Sequence, residues 1–96
     1  MDQPGLRPGA VVRSLAGRDQ ATVYVVLRQV DERLVTVIDG DQRPYDRPKA
    51  KNRRHLEVVG WVESTLAERF SRGERVPDQE ILKALRAFHL REQKEV

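Results

Sequence analysis

The densest run of charged side chains lies at residues 43–54, RPYDRPKAKNRR. Arg43, Arg47, Lys49, Lys51, Arg53 and Arg54 share these twelve positions with one acid, Asp46. The segment carries +5, whereas the whole chain carries +3. Pro44 and Pro48 hold φ and oppose a helix, so this stretch is predicted to be extended. An extended ribbon advances roughly 3.3 Å per residue, close enough for its cations to follow a phosphodiester track. Each neutralised phosphate releases counterions and supplies affinity without sequence readout. Asn52 and His55 can add hydrogen bonds to base edges or sugar hydroxyls. A solvated loop that keeps the protein soluble is the plainer alternative. The scarcity of acids in the segment favours binding.

Gly17-Arg18-Asp19 is the second candidate. It follows a β-branched run and reads as a turn. Gly17 accepts a left-handed conformation. Arg18 then projects from the loop tip, and Asp19 is expected to hold the loop by accepting backbone amides. Arg13, on the preceding strand, is expected to share a face with this loop. Among the aromatic residues only Tyr45 lies inside the basic segment. Trp61, Phe70 and Phe88 fall on apolar helical faces and read as core. With so few stacking platforms, the pattern favours backbone and shape recognition of folded RNA over base stacking.

Catalysis is not expected. The two histidines, His55 and His89, join no nucleophile, and no His/Asp/Glu group has metal-ligand spacing. Asp39 and Asp41 flank Gly40 as a turn does. There is no cysteine, so disulfides, Cys-based zinc sites and thiol nucleophiles are excluded. Neither a metal nor a cofactor is implied. The longest apolar run, Val23 to Leu27, has five residues, too few to span a bilayer. The N-terminal stretch lacks the basic-then-apolar pattern of a secretory signal, so a cytoplasmic setting is expected.

Residues 1–60 hold 11 Lys/Arg against 8 Asp/Glu, and residues 61–96 hold 7 of each. Periodicity changes at the same place. Ala10–Leu15, Thr22–Arg28, Leu34–Ile38 and His55–Val59 read as strands, separated by turn signals such as Asp31-Glu32-Arg33 and Asp39-Gly40. About five short strands in some 50 residues point to a small, strongly bent sheet or barrel. The second part reads as two helices. Trp61 opens the first, Val62, Leu66 and Phe70 form its stripe, and Gly73 stops it. Asp78 is expected to cap the second, whose stripe is Ile81, Leu82, Leu85 and Phe88. The expected organisation is a β-domain over 1–60 and a helical hairpin over 61–96 packed on it.

Residues 8–40 resemble the KOW motif of ribosomal and transcription-elongation proteins. Gly9-Ala10-Val11-Val12 matches the opening strand, Ser14 to Asp19 the loop, Tyr24 to Leu27 the second strand, and Asp39-Gly40 the end of the third. The likeness is greatest to the ribosomal protein L14e type and its small bacterial relatives. Pro48-Lys49, His55-Leu56 and the helical end from Pro77 to Leu85 extend it along the chain. Ala21 departs from the pattern, standing where a glycine is usual. The resemblance implies an SH3-like small β-barrel that binds RNA, ribosomal RNA above all, in a bacterial cytoplasm.

The combined expectation is a non-enzymatic, ribosome-associated RNA-binding protein, monomeric and free of membrane. Its contacts would come from Arg13, Arg18, Arg43, Arg47, Lys49, Lys51, Asn52, Arg53, Arg54 and His55. The alternative is an SH3-like interaction module whose basic segment meets an acidic protein of the translation or transcription machinery, with the helical hairpin as a second docking face.

Overall fold

A computed structural model describes residues 6–94. Five strands are followed by two helices: β1 (Ala10–Ser14), β2 (Val23–Gln29), β3 (Leu34–Ile38), β4 (Lys49–Asn52), β5 (Leu56–Trp61), α1 (Ser64–Ser71) and α2 (Asp78–Lys94). A single 3-10 turn, Arg53–His55, joins β4 to β5. The strands form one antiparallel sheet in the order β4-β3-β2-β1-β5. The sheet is not closed into a barrel; β4 and β5 are its edges. Register shifts at Val11/Val12 and at Val26/Arg28 bend it.

Both faces of the sheet are buried, which is why its strands read as apolar runs rather than strict alternations. Val11, Val25, Leu27 and Ile38 face the helices and pack with Phe70, Val76, Ile81, Leu85 and Phe88. The intervening positions, Ala10, Val12, Tyr24, Val26, Val35 and Val37, join Leu6 and Leu56 in a second cluster. No helix belongs to that cluster. Its side chains are buried because the bent sheet curves over them. Each fully buried Val, Leu or Phe contributes roughly 1.5–3 kcal/mol, so two small cores hold what one layer of strands could not.

The helices meet the sheet closely at two glycines. A Cβ on Gly40, whose φ is +81°, would lie 2.7 Å from the Asp78 carbonyl oxygen at the start of α2. A Cβ on Gly60 would lie 2.8 Å from the Phe88 ring. The link between the helices follows the expected stop. Gly73 takes φ +73°, its amide donates to Phe70 O and the Glu74 amide donates to Arg69 O, a Schellman closure.

Several helical expectations are corrected. Trp61 is not the first residue of a helix. It ends β5 opposite Ala10 and is 42% exposed, with the Arg7 guanidinium 5.7 Å from its ring centroid. Strand pairing with β1 runs through Trp61, so the helix begins only at Ser64. Leu82 is 37% exposed and stands at the margin of the core. His89 is exposed and meets Phe88 edge-on, ring centroids 5.5 Å apart. Asp78 is the first residue of α2, and its Oδ1 accepts the Tyr45 amide. The Pro77 carbonyl receives the amides of Glu80 and Ile81.

Because Phe88 fills the space over Gly60, its truncation opens the contact between helix and sheet. Phe88→Ala is expected to lower stability by about 3–5 kcal/mol. Urea denaturation followed by circular dichroism measures this, and sheet and helix signals should be lost in one transition.

Candidate nucleic-acid interface

At the open end of the second core, four side chains from three strands meet around one carboxylate. Ser14 ends β1 on the inward side, Tyr24 faces inward from β2, and Lys49 and Lys51 face inward from β4. Asp19, from the β1–β2 loop, receives all four. Ser14 Oγ and Lys51 Nζ reach its Oδ1 at 3.0 Å each. Tyr24 OH and Lys49 Nζ reach its Oδ2 at 2.6 and 3.1 Å. Lys51 Nζ also donates to Ser14 Oγ at 3.1 Å.

The Lys51 side chain is 9% exposed and that of Asp19 13%. Burial raises the cost of a charged Asp19, but the hydrogen bonds from Tyr24, Lys51, Lys49 and Ser14 outweigh it. They hold the carboxyl far below the usual carboxylate range. Burial and the bond to Asp19 push the Tyr24 hydroxyl well above its ordinary value, so it stays a donor. Asp19 is thus the counter-ion of two lysines, not a clamp on loop amides. The loop amides are served otherwise: Ala21 N donates to Ser14 O and Thr22 N to Asp19 O, at 2.8 and 2.9 Å.

This geometry sorts the expected contact residues. Lys49 and Lys51 lie on the extended strand predicted for them, but turn inward to Asp19. Arg53 folds back: its Nη1 donates to Glu32 O at 2.9 Å, and its Nε and Nη2 are buried without a partner. Asn52 Oδ1 accepts the Arg54 amide and caps the 3-10 turn. Arg13 points to the helix-bearing face, pairing with Glu57 at 3.2 Å and approaching Glu92 at 3.9 Å. It does not share a face with the Gly17-Arg18-Asp19 loop, because successive strand residues alternate and Ser14 takes the inward place.

Arg43 is half-buried beside the Asp39 turn, its amide on Asp39 Oδ1 at 2.8 Å. Arg18, Arg47, Arg54 and His55 are exposed. Arg33, absent from the expected set, is exposed as well. Main-chain bonds gather three of these segments: Leu15 N donates to His55 O and Arg53 N to Arg33 O, both at 2.8 Å. The β1–β2 loop, the β2–β3 turn and the 3-10 turn therefore adjoin. Among the described residues, Arg18, Arg33, Arg47 and Arg54 make no ion pair. Tyr45 is not a stacking platform. It packs against the helix-facing core, donates through its hydroxyl to Glu74 O, and lies under the Arg75 guanidinium, which pairs with Asp46.

Ser14 and Tyr24 were missed as site residues. Their signal was a hydroxyl at an inward position of each neighbouring strand, legible only once the register is known.

No family model matches the chain, and no curated protein matches it.

Two outcomes follow from the loop. Ala21 takes φ +74°, the left-handed region that disfavours a Cβ. Ala21→Gly is expected to raise stability by about 0.5–1 kcal/mol, read from the urea midpoint. Asp19 has a lowered pKa in the folded state, so its stabilisation is complete above the ordinary value of 3.8 and fades as pH falls below it. Asp19→Asn should cost stability at neutral pH and flatten the acid limb of stability below about pH 4. Thermal melts across that range measure it.

Proposed function

We propose that this protein binds RNA through the rim formed by the β1–β2 loop, the β2–β3 turn and the 3-10 turn. The observation that carries the reading is the set of exposed arginines there, Arg18, Arg33 and Arg54, that form no ion pair among the described residues. Arg47 extends the positive surface at the other end of β4. Guanidinium groups suit phosphate oxygens, with a planar fork of donors. Asp19 removes Lys49 and Lys51 from the direct contact set and makes them a rigid support behind it.

The SH3-like reading has topological support. Each strand pairs with its sequence neighbour from β1 to β4, β5 returns to the far side of β1, and a short 3-10 turn joins the last two strands. The KOW resemblance is supported by the loop itself. Ala21, where the motif usually has glycine, keeps the left-handed backbone that glycine would adopt. On this reading the RNA is ribosomal, the setting is a bacterial cytoplasm, and contacts are made to backbone and shape.

The test separates exposed from buried cations. The quadruple variant Arg18→Ala, Arg33→Ala, Arg47→Ala, Arg54→Ala is expected to keep its fold, since exposed substitutions cost within about 0.5 kcal/mol each. Its plot of log K against log salt for a structured ribosomal RNA fragment should be shallower by about 3. Lys51→Ala should lower stability first, by about 3–5 kcal/mol, because it leaves Asp19 buried with fewer partners. Unchanged RNA affinity and salt slope in the folded quadruple variant would overturn the reading. Loss of ribosome co-sedimentation on Arg86→Glu alone would favour protein docking through α2 instead.

A further inference from the structure

The β1–β2 loop offers more than Arg18. Its ends are tied down: Leu15 N donates to His55 O, Gln20 N to Gly17 O, Ala21 N to Ser14 O and Thr22 N to Asp19 O. Between these clamps, the amides of Ala16, Gly17, Arg18 and Asp19 donate to no acceptor among the described residues. Four consecutive backbone donors thus have no acceptor among the described residues. Gly17 takes φ +90°, and a Cβ built there would meet nothing within 4 Å except Asp19 Oδ1 at 3.5 Å, so a ligand could approach the main chain closely.

Positive charge is in excess around the loop. Arg18 is exposed and unpaired among the described residues, and the Lys49 side chain, 31% exposed, reaches the loop at Asp19. Arg54 lies in the turn that Leu15 binds. The one carboxylate of the loop, Asp19, is already shared by Lys49 and Lys51. An anion at the loop would therefore meet net positive charge. Successive free amides flanked by cations suit a tetrahedral oxyanion, whose oxygens can each accept.

We propose that the Ala16–Asp19 loop seats a single phosphodiester group of bound RNA, held by backbone amides and the Arg18 guanidinium. The proposal rests on the RNA reading and adds the atoms that take the phosphate. Because backbone amides do the holding, the seat reads phosphate and not base. The backbone bonds at its ends and the Asp19 hub keep the loop in one shape before the ligand arrives, so little ordering is required on binding.

The experiment is amide-resolved NMR on the full chain at constant ionic strength, titrated with inorganic phosphate and, separately, with the structured ribosomal RNA fragment. Saturable shifts of the Gly17, Arg18 and Asp19 amides are expected in both arms. Arg18→Ala should weaken the phosphate response about fivefold, as loss of one charge-assisted bond implies. The same charge removed from α2 by Arg86→Ala should leave it within about twofold. Loop amides that stay unmoved while RNA shifts only residues 31–33 and 53–55 would overturn the seat and leave RNA binding standing. Loop amides that respond to inorganic phosphate alone would keep an anion seat but overturn its assignment to RNA, and the RNA reading with it. Equal weakening by Arg18→Ala and Arg86→Ala would reduce the effect to net charge and overturn the seat.

Discussion

One carboxylate organises this protein's open end. Asp19 collects a serine hydroxyl, a tyrosine hydroxyl and two lysine ammonium groups from β1, β2 and β4. No single bond in the set is unusual. What matters is that Lys51 is buried and can be tolerated there only because its charge is matched and hydrogen-bonded. The hub ties strand β4, at the edge of the sheet, to the loop after β1, with β3 and β2 lying between the two strands in the sheet order. It thereby holds the curvature that buries the second core. It also closes the polar end of that core, where valines would otherwise meet water.

The same constraint shapes the surface. A ribbon of six cations would repel itself and take no defined form. Drawing two of them inward onto one acid, and folding Arg53 against the Glu32 carbonyl, leaves a sparser set of arginines at defined loop positions. Burial and surface charge are thus assigned to different side chains of one basic segment. Lysine, a compact point charge, serves the buried contacts, and arginine, with its planar fork, remains outside. The helices perform a separate task. They cover the face of the sheet that the bend exposes, and Phe88 over Gly60 is one of the close approaches in that cover.

Much of this organisation could be read along the chain. The β-branched runs marked four strands within one or two residues of their ends, and Gly73 marked the end of α1. The prolines marked the whole basic segment as extended, but only β4 within it is; Arg47 N turns back to Pro44 O before the strand, and Arg53–His55 coils into the 3-10 turn after it. Other readings failed because local pattern does not record partners. Trp61 continues an apolar helical spacing with Val62 and Leu66, yet pairing with β1 claims it for a strand. Tyr45 lies among arginines in sequence and beneath one in space, but its ring serves the core and its hydroxyl serves the helix link. Arg13 is one residue from the hub and on the opposite face.

By itself the sequence determined composition, charge placement and element types. These follow from local terms: propensity, proline geometry, glycine at turns and the period of apolar residues. Only the tertiary structure decided which cations are spent on Asp19 and which remain on the surface. Burial and counter-ion pairing depend on strand register, and register brings together residues thirty or more positions apart, as Lys49 and Lys51 are from Asp19.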